Sequence, residues 1–151
     1  MQKDDFRALL QSVADGKTSV DDALLHLKTA PFEDLGFAKL DHHRALRQGA
    51  AEVIYGAGKT DEQILTIAKT FYERGQETIL ITRMRKEAAA LLSGALPLRY
   101  DELSRVGIVG KIPEPAGGTV VVASGGTSDM PVSEEAALTA EALGNRVVRL
   151  Y

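Results

Sequence analysis

The chain has 151 residues, room for one domain or for one domain and part of a second. With 44% apolar and 26% charged residues its composition is that of a globular protein, and a net charge of −3 gives none of the basic surplus expected of a nucleic-acid or anionic-membrane binder. No stretch reads as a signal peptide or as an apolar span long enough to cross a bilayer, so a cytoplasmic location is expected, and the lack of cysteine excludes disulfides and thiolate metal sites in these residues.

Residues 3–30 read as two helices forming a hairpin. Phe6, Leu9, Leu10 and Val13 recur at helical spacing, and Gly16 supplies the stop. Ser19, with Asp22 three residues later, makes a weak capping box for the second helix. Its apolar face is Ala23, Leu24 and Leu27, and Pro31 ends it. His26 falls on the flank, a surface position.

Phe37–Leu40 and Glu52–Tyr55 are short strand candidates. Between them runs Asp41-His42-His43-Arg44-Ala45-Leu46-Arg47-Gln48-Gly49, dense in groups that bind or titrate. Adjacent histidines point in different directions on a helix, which argues against a metal site using both. Two readings stay open for this turn. It is a charged helical turn tying the loops together, or Arg44 and Arg47, on one face, grip a phosphate or carboxylate with their planar forks. Gly56-Ala57-Gly58-Lys59 falls short of a full phosphate-loop pattern, leaving Lys59 as either a solvated lysine or an anion ligand.

Thr60 to Gly75 is the clearest helix, with a Thr60/Gln63 capping box and an apolar face of Ile64, Ile67, Ala68 and Phe71. Thr78–Thr82 has the look of a buried strand, followed by a helix from Arg85 to Leu92. Arg83 lies at that strand's carboxyl end, where open α/β sheets bind ligands. Tyr100–Leu103 leads into a further strand, Val106–Val109. The alternation predicts a small parallel or mixed α/β domain over residues 31–110. Lys111–Gly118, KIPEPAGG, reads as a linker.

Thr119–Ser124 is a β-branched apolar run, and Gly125-Gly126 halts it. Thr127, Ser128 and Asp129 suit helix capping, and Pro131 suits the first helical position. Ala136, Ala137, Ala140 and Leu143 recur at helical spacing before Gly144 stops the helix and Val147–Tyr151 begins another strand. The result is a βαβ unit whose strands are parallel. Its turn is open to two readings: a tight turn with a good cap, or an anion site at a helix N-terminus that the two glycines let a ligand approach.

GGTSDMPVSEEAALTAEALGNRV resembles the opening βα unit of the aminoimidazole ribonucleotide carboxylase (PurE) fold. It is more similar still to part of the LarB family, the pyridinium-3,5-biscarboxylic acid mononucleotide synthases. PFEDLGFAKLDHHRALRQGAAEVIYGAGKT, from Pro31 to Thr60, resembles that family's N-terminal signature. The resemblance implies that residues 119–151 begin a PurE-like, flavodoxin-like catalytic domain, and that the chain is the N-terminal portion of a longer enzyme. That enzyme carboxylates the pyridinium ring of nicotinic acid adenine dinucleotide and hydrolyses its phosphoanhydride, an early step toward the nickel-pincer nucleotide. Carbon dioxide or bicarbonate is the implied co-substrate, no resident cofactor is certain, a divalent metal stays open, and the implied assembly is a homo-oligomer.

By the same resemblance, Gly125 and Gly126 admit the dinucleotide, Thr127 and Ser128 donate to a phosphate, and Asp129 accepts from a ribose hydroxyl or caps the helix. Arg44, Arg47 and Lys59 complete the substrate-binding candidates. The family's cysteine and the acidic groups near the pyridinium ring have no counterpart here, so the catalytic residues stay unassigned and residues 1–151 alone are expected to be inactive. The purine enzyme usually has a serine where Gly126 stands, which argues against aminoimidazole ribonucleotide as substrate. The alternatives are a protein related to that carboxylase and a non-catalytic nucleotide-binding or assembly module.

Overall fold

In a computed structural model the described residues are 3–29, 32–34, 36, 39–41 and 53–151. Two compact units result, Met1–Ala50 and Ala51–Tyr151.

In the first unit, α1 spans Lys3–Ala14 and α2 spans Val20–Thr29. Gly16 adopts φ 69°, which brings its N–H to the Val13 carbonyl (3.0 Å) and the Lys17 N–H to that of Ser12 (2.9 Å). This is the left-handed helix stop that glycine permits. Ser19 Oγ then accepts from the Asp22 N–H at 3.0 Å and starts α2, as the sequence predicts. The apolar faces are narrower than the periodicity predicts. Phe6, Leu9 and Val13 are half-buried and Ala23 is buried, but Leu10 and Leu24 are exposed. Neighbouring residues on a helix point about 100° apart, so Leu9 and Leu10, or Ala23 and Leu24, cannot share one contact stripe.

Phe32–Asp34 (β1) pairs antiparallel with Lys39–Asp41 (β2), Phe32 opposite Asp41. Of the expected strand Phe37–Leu40, Lys39 and Leu40 are among the described residues and are strand, and its partner carried no strand signal in the sequence. Arg44, Arg47 and the two histidines lie outside the described residues.

The second unit is built on a four-stranded sheet in the order β3-β4-β6-β5. The strands are Val53–Tyr55, Thr78–Thr82, Val106–Gly110 and Leu98–Asp101 for β3, β4, β6 and β5. Only β3 and β4 are parallel; β6 runs antiparallel to β4, and β5 to β6, so the sheet is mixed. The stretch Tyr100–Leu103, expected to lead into the strand at Val106, is itself part strand: Tyr100 and Asp101 close β5. There the carboxylate accepts from the Ser104 N–H (2.8 Å) and hydroxyl (2.6 Å), folding residues 102–104 into the turn of a hairpin.

Helix α3, Asp61–Glu73, follows β3 and opens with the full capping box predicted for it: Thr60 accepts from the Gln63 N–H, and Gln63 from the Thr60 N–H. Its Ile64, Ile67, Ala68 and Phe71 are all buried. Helix α4, Lys86–Ser93, buries Ala88, Ala89 and Leu92.

Thr119–Ala123 (β7) and Arg146–Leu150 (β8) make a separate two-stranded parallel sheet, joined by α5, Met130–Ala142. Helix α5 turns a different side inward from the one expected. Ser133, Ala137, Leu138 and Ala142 are buried, while Ala136 and Leu143 face solvent. Leu138 and Ala142 join Leu80, Val106 and Ile108 in one apolar cluster, with Ile112 packed on it. Five alanine and leucine positions spread around this helix give the sequence no single stripe; contact with β4 and β6 selects the side.

Candidate functional site

The carboxyl ends of β3 and β4 meet the amino end of β6, and three residues there form a row across the sheet. The Gly56 N–H donates to the Thr82 carbonyl at 2.8 Å, continuing the β3–β4 ladder. The β4–β6 ladder ends at Ile81 and Gly107; Arg83 and Arg105 lie just beyond it, and the Met84 N–H donates to the Arg105 carbonyl at 2.9 Å. A Cβ on Gly56 would stand 2.9 Å from the Thr82 oxygen, so only glycine lets the β3 end lie this close to β4.

Arg83 and Arg105 share a second property. Their φ values are 55° and 57°, and they are the only non-glycine residues with positive φ among the described residues. An L-residue in that conformation costs about 1–2 kcal/mol. Arg83 lies just past the end of β4 and Arg105 in the hairpin turn just before β6, so both strained residues stand at the same end of the sheet. The turn behind them is braced: the Tyr100 hydroxyl donates to the Met84 carbonyl at 3.1 Å, and burial holds the Tyr100 hydroxyl above its ordinary pKa.

These residues border a cleft of about 520 Å³ lined by Tyr55 to Thr60, Arg83, Arg85 and Arg105. Arg83 Nε meets Glu135 Oε2 at 2.8 Å, and Arg85 Nη2 meets Asp61 Oδ1 at 2.7 Å. Lys59 is half-buried and Arg105 exposed, and among the described residues neither has an ion-pair partner. Two helices begin on the rim. The first turn of α3 is satisfied from within: Glu62 accepts from its own N–H and from the Thr60 hydroxyl, which holds its carboxyl below the usual range. Helix α4 starts at Arg85 with no side-chain cap.

The second candidate is the turn between β7 and α5. Gly125, Gly126, Thr127, Ser128 and Asp129 are all exposed, and Gly126 has φ 150°. Pro131 falls in the first helical turn as predicted. The expected side-chain cap does not form. Asp129 holds the N-cap position with φ −89° and ψ −17°, a helical geometry instead of the extended one a capping side chain requires, and it makes no capping hydrogen bond. A backbone turn does the work: Asp129 N–H donates to the Gly126 carbonyl at 3.1 Å, and Ser133 N–H to the Asp129 carbonyl at 3.0 Å. Beneath the turn, Ser124 Oγ is buried with no hydrogen-bond partner among the described residues.

Of the predicted binding residues that are described, Lys59 lies in the cleft, as does Arg83, which the sequence put at a ligand-binding strand end; Gly125–Asp129 are not part of its lining. Arg85 and Arg105 carried no signal in the sequence, since the cross-strand register that unites Arg105 with Arg83 is not visible there. No group of three His, Asp or Glu side chains among the described residues is placed to hold a metal ion, and no described helix is long and apolar enough to cross a membrane.

Residues 32–111, more than half of the chain, match the LarB/PurE-like N-terminal domain. The protein belongs to this family. Every residue lining the cleft lies inside the matched segment, and the Gly125–Asp129 turn lies beyond it. A relative, an uncharacterized protein of Methanocaldococcus jannaschii, is 27% identical over 168 aligned residues. The alignment takes in 97% of this chain and 60% of that relative, so the chain spans about 60% of the length of the curated protein it matches.

Proposed function

We propose that this LarB-family protein serves in carboxylating the pyridinium ring of nicotinic acid adenine dinucleotide and hydrolysing its phosphoanhydride. The products are pyridinium-3,5-biscarboxylic acid mononucleotide and AMP, for nickel-pincer nucleotide synthesis. Membership of the LarB/PurE-like N-terminal domain family carries this reading. The β7–α5 turn supports it: two exposed glycines precede a 13-residue helix whose N-cap side chain makes no capping bond. Such a helix start offers N–H groups and a positive dipole end to a phosphate. In this reading Thr127 and Ser128 donate to the phosphate, Gly125 and Gly126 admit it, and Asp129 accepts from a ribose hydroxyl. The unpartnered Ser124 Oγ at the base of the turn is one more group that a bound ligand or an adjoining segment would satisfy. Carbon dioxide or bicarbonate is the proposed co-substrate, and the working protein is a homo-oligomer.

The test uses the whole-length protein with nicotinic acid adenine dinucleotide and bicarbonate, with products read by mass spectrometry. A carboxylated mononucleotide together with AMP is the expected result; unchanged dinucleotide refutes the assignment. Residues 1–151 contain no cysteine to match the one the family carries near the pyridinium ring, and by themselves are expected to bind dinucleotide weakly without forming product.

A further inference from the structure

We infer that the cleft at the end of the four-stranded sheet is a second anion site, built for a phosphate-bearing ligand, with Lys59 and Arg105 as its primary cations. The inference stands apart from the Ser128 turn, which contributes nothing to the cleft lining. It rests on three observations made on different parts of the chain.

The first is charge. Lys59, Arg83, Arg85 and Arg105 come from three separate connections and converge on one cleft of about 520 Å³. Two of them are already balanced, by Glu135 and Asp61, and two have no ion-pair partner among the described residues. Like charges brought together repel, so the gathering is unfavourable until an anion fills it. The balanced pair is not used up: Arg83 reaches Glu135 through Nε and Arg85 reaches Asp61 through Nη2, leaving other guanidinium N–H groups on each.

The second is backbone strain. Arg83, just past β4, and Arg105, just before β6, both hold positive φ and both line the cleft. Glycine would take either position without the steric cost, so the sites favour the side chain over the relaxed backbone. The third is place. The cleft lies beyond the carboxyl ends of the parallel strands β3 and β4, with the N-terminus of α4 on its rim and no side chain capping it. A single carboxylate would answer only one of the free cations. A phosphate or diphosphate group has the charge and the acceptor oxygens to meet both and to take N–H donors from Arg83.

Titration calorimetry of the full chain at low salt, with inorganic phosphate and with pyrophosphate as separate arms, tests this. Binding is expected in at least one arm, weakened about tenfold or more (about 1.4 kcal/mol) by Lys59→Ala and by Arg105→Ala. It should be unchanged by Arg146→Ala, an exposed arginine on β8 that is not in the lining. Tighter pyrophosphate binding assigns the cleft to a diphosphate-bearing ligand; equal affinity assigns it to a monophosphate. Arg105→Gly separates function from folding, because glycine relieves the positive φ: its melting temperature should not fall while its anion binding is lost. No binding in either arm at millimolar concentration, or binding that Lys59→Ala, Arg105→Ala and Arg105→Gly all leave intact, overturns the inference. Neither result bears on carboxylation by the whole-length protein, which keeps the two proposals distinguishable.

Discussion

The two sheets of the second unit use nearly the same alphabet and hold together differently. In β4, Ile79, Leu80, Ile81 and Thr82 are buried without alternation, because α3 covers one face of the four-stranded sheet and α5 reaches the other through Leu138 and Ala142. β7 and β8 carry five valines between them, yet both alternate between exposed and half-buried residues. Val121, Val148 and Leu150 lie on the bare face, at 57%, 41% and 57% exposure. On the covered face the tie to α5 is ionic. Arg149 donates from Nε and Nη2 to Glu134 and from Nη1 to Glu141, at 2.6–3.1 Å, and the Tyr151 hydroxyl donates to Glu134 at 2.8 Å. A buried apolar strand and a strand held by a charge cluster on one face are indistinguishable by residue type alone.

Truncation should separate the two sheets most strongly. Phe71→Ala, in the fully buried face of α3 under the four-stranded sheet, is expected to cost about 3–5 kcal/mol. Val121→Ala, on the bare face of β7, should cost no more than roughly 0.5 kcal/mol. Urea melts of the two variants give the contrast directly; a large loss at Val121 would mean that the bare face is covered in solution.

Acid should act on the smaller sheet first. Hydrogen bonds from Arg149 hold the Glu134 carboxyl below its ordinary value, and the same carboxylates hold the Arg149 guanidinium above its own. A folded-state pKa below the unfolded one stabilises the fold at pH above about 4.5 and loses that contribution as pH falls through the lowered value. Amide exchange in β8 is therefore expected to accelerate in acid before exchange in β4 does. Arg149→Met should remove that pH dependence and weaken the βαβ unit by about 1–2 kcal/mol, since it leaves two partly buried carboxylates side by side.

The helix starts offer a finer comparison. Thr60→Ala breaks a complete capping box and should cost about 1 kcal/mol in thermal melts. Asp129→Ala removes a side chain that makes no capping bond, so stability should hold within roughly 0.5 kcal/mol. If Asp129 meets a ribose as proposed, the same variant weakens dinucleotide binding. A drop in melting temperature equal to that of Thr60→Ala would return Asp129 to a capping role. The one expected gain is at Arg105, where glycine should stabilise by about 0.5–1 kcal/mol, part of the relieved strain being offset by the freer unfolded chain.

The sequence by itself determined the elements whose signals are local. The capping box at Thr60, the buried face of α3, the strand Thr78–Thr82 and the stops at Gly16 and Gly144 depend on neighbours within a turn or two, and they sit where the residues predict. It also carried the family, through two contiguous stretches. Tertiary structure decided what depends on distant partners. The inward side of α5 followed from Leu80, Val106 and Ile108, because a helix with alanine on most sides has no preference until a surface is offered. The hairpin of β5 and β6 turned the sheet from parallel to mixed. Its register brought Arg105 to Arg83 and so assembled the cleft around Lys59. Residues 46 positions apart meet at Lys59 and Arg105 only because strands pair. Strand pairing is a long-range contact that no local pattern encodes.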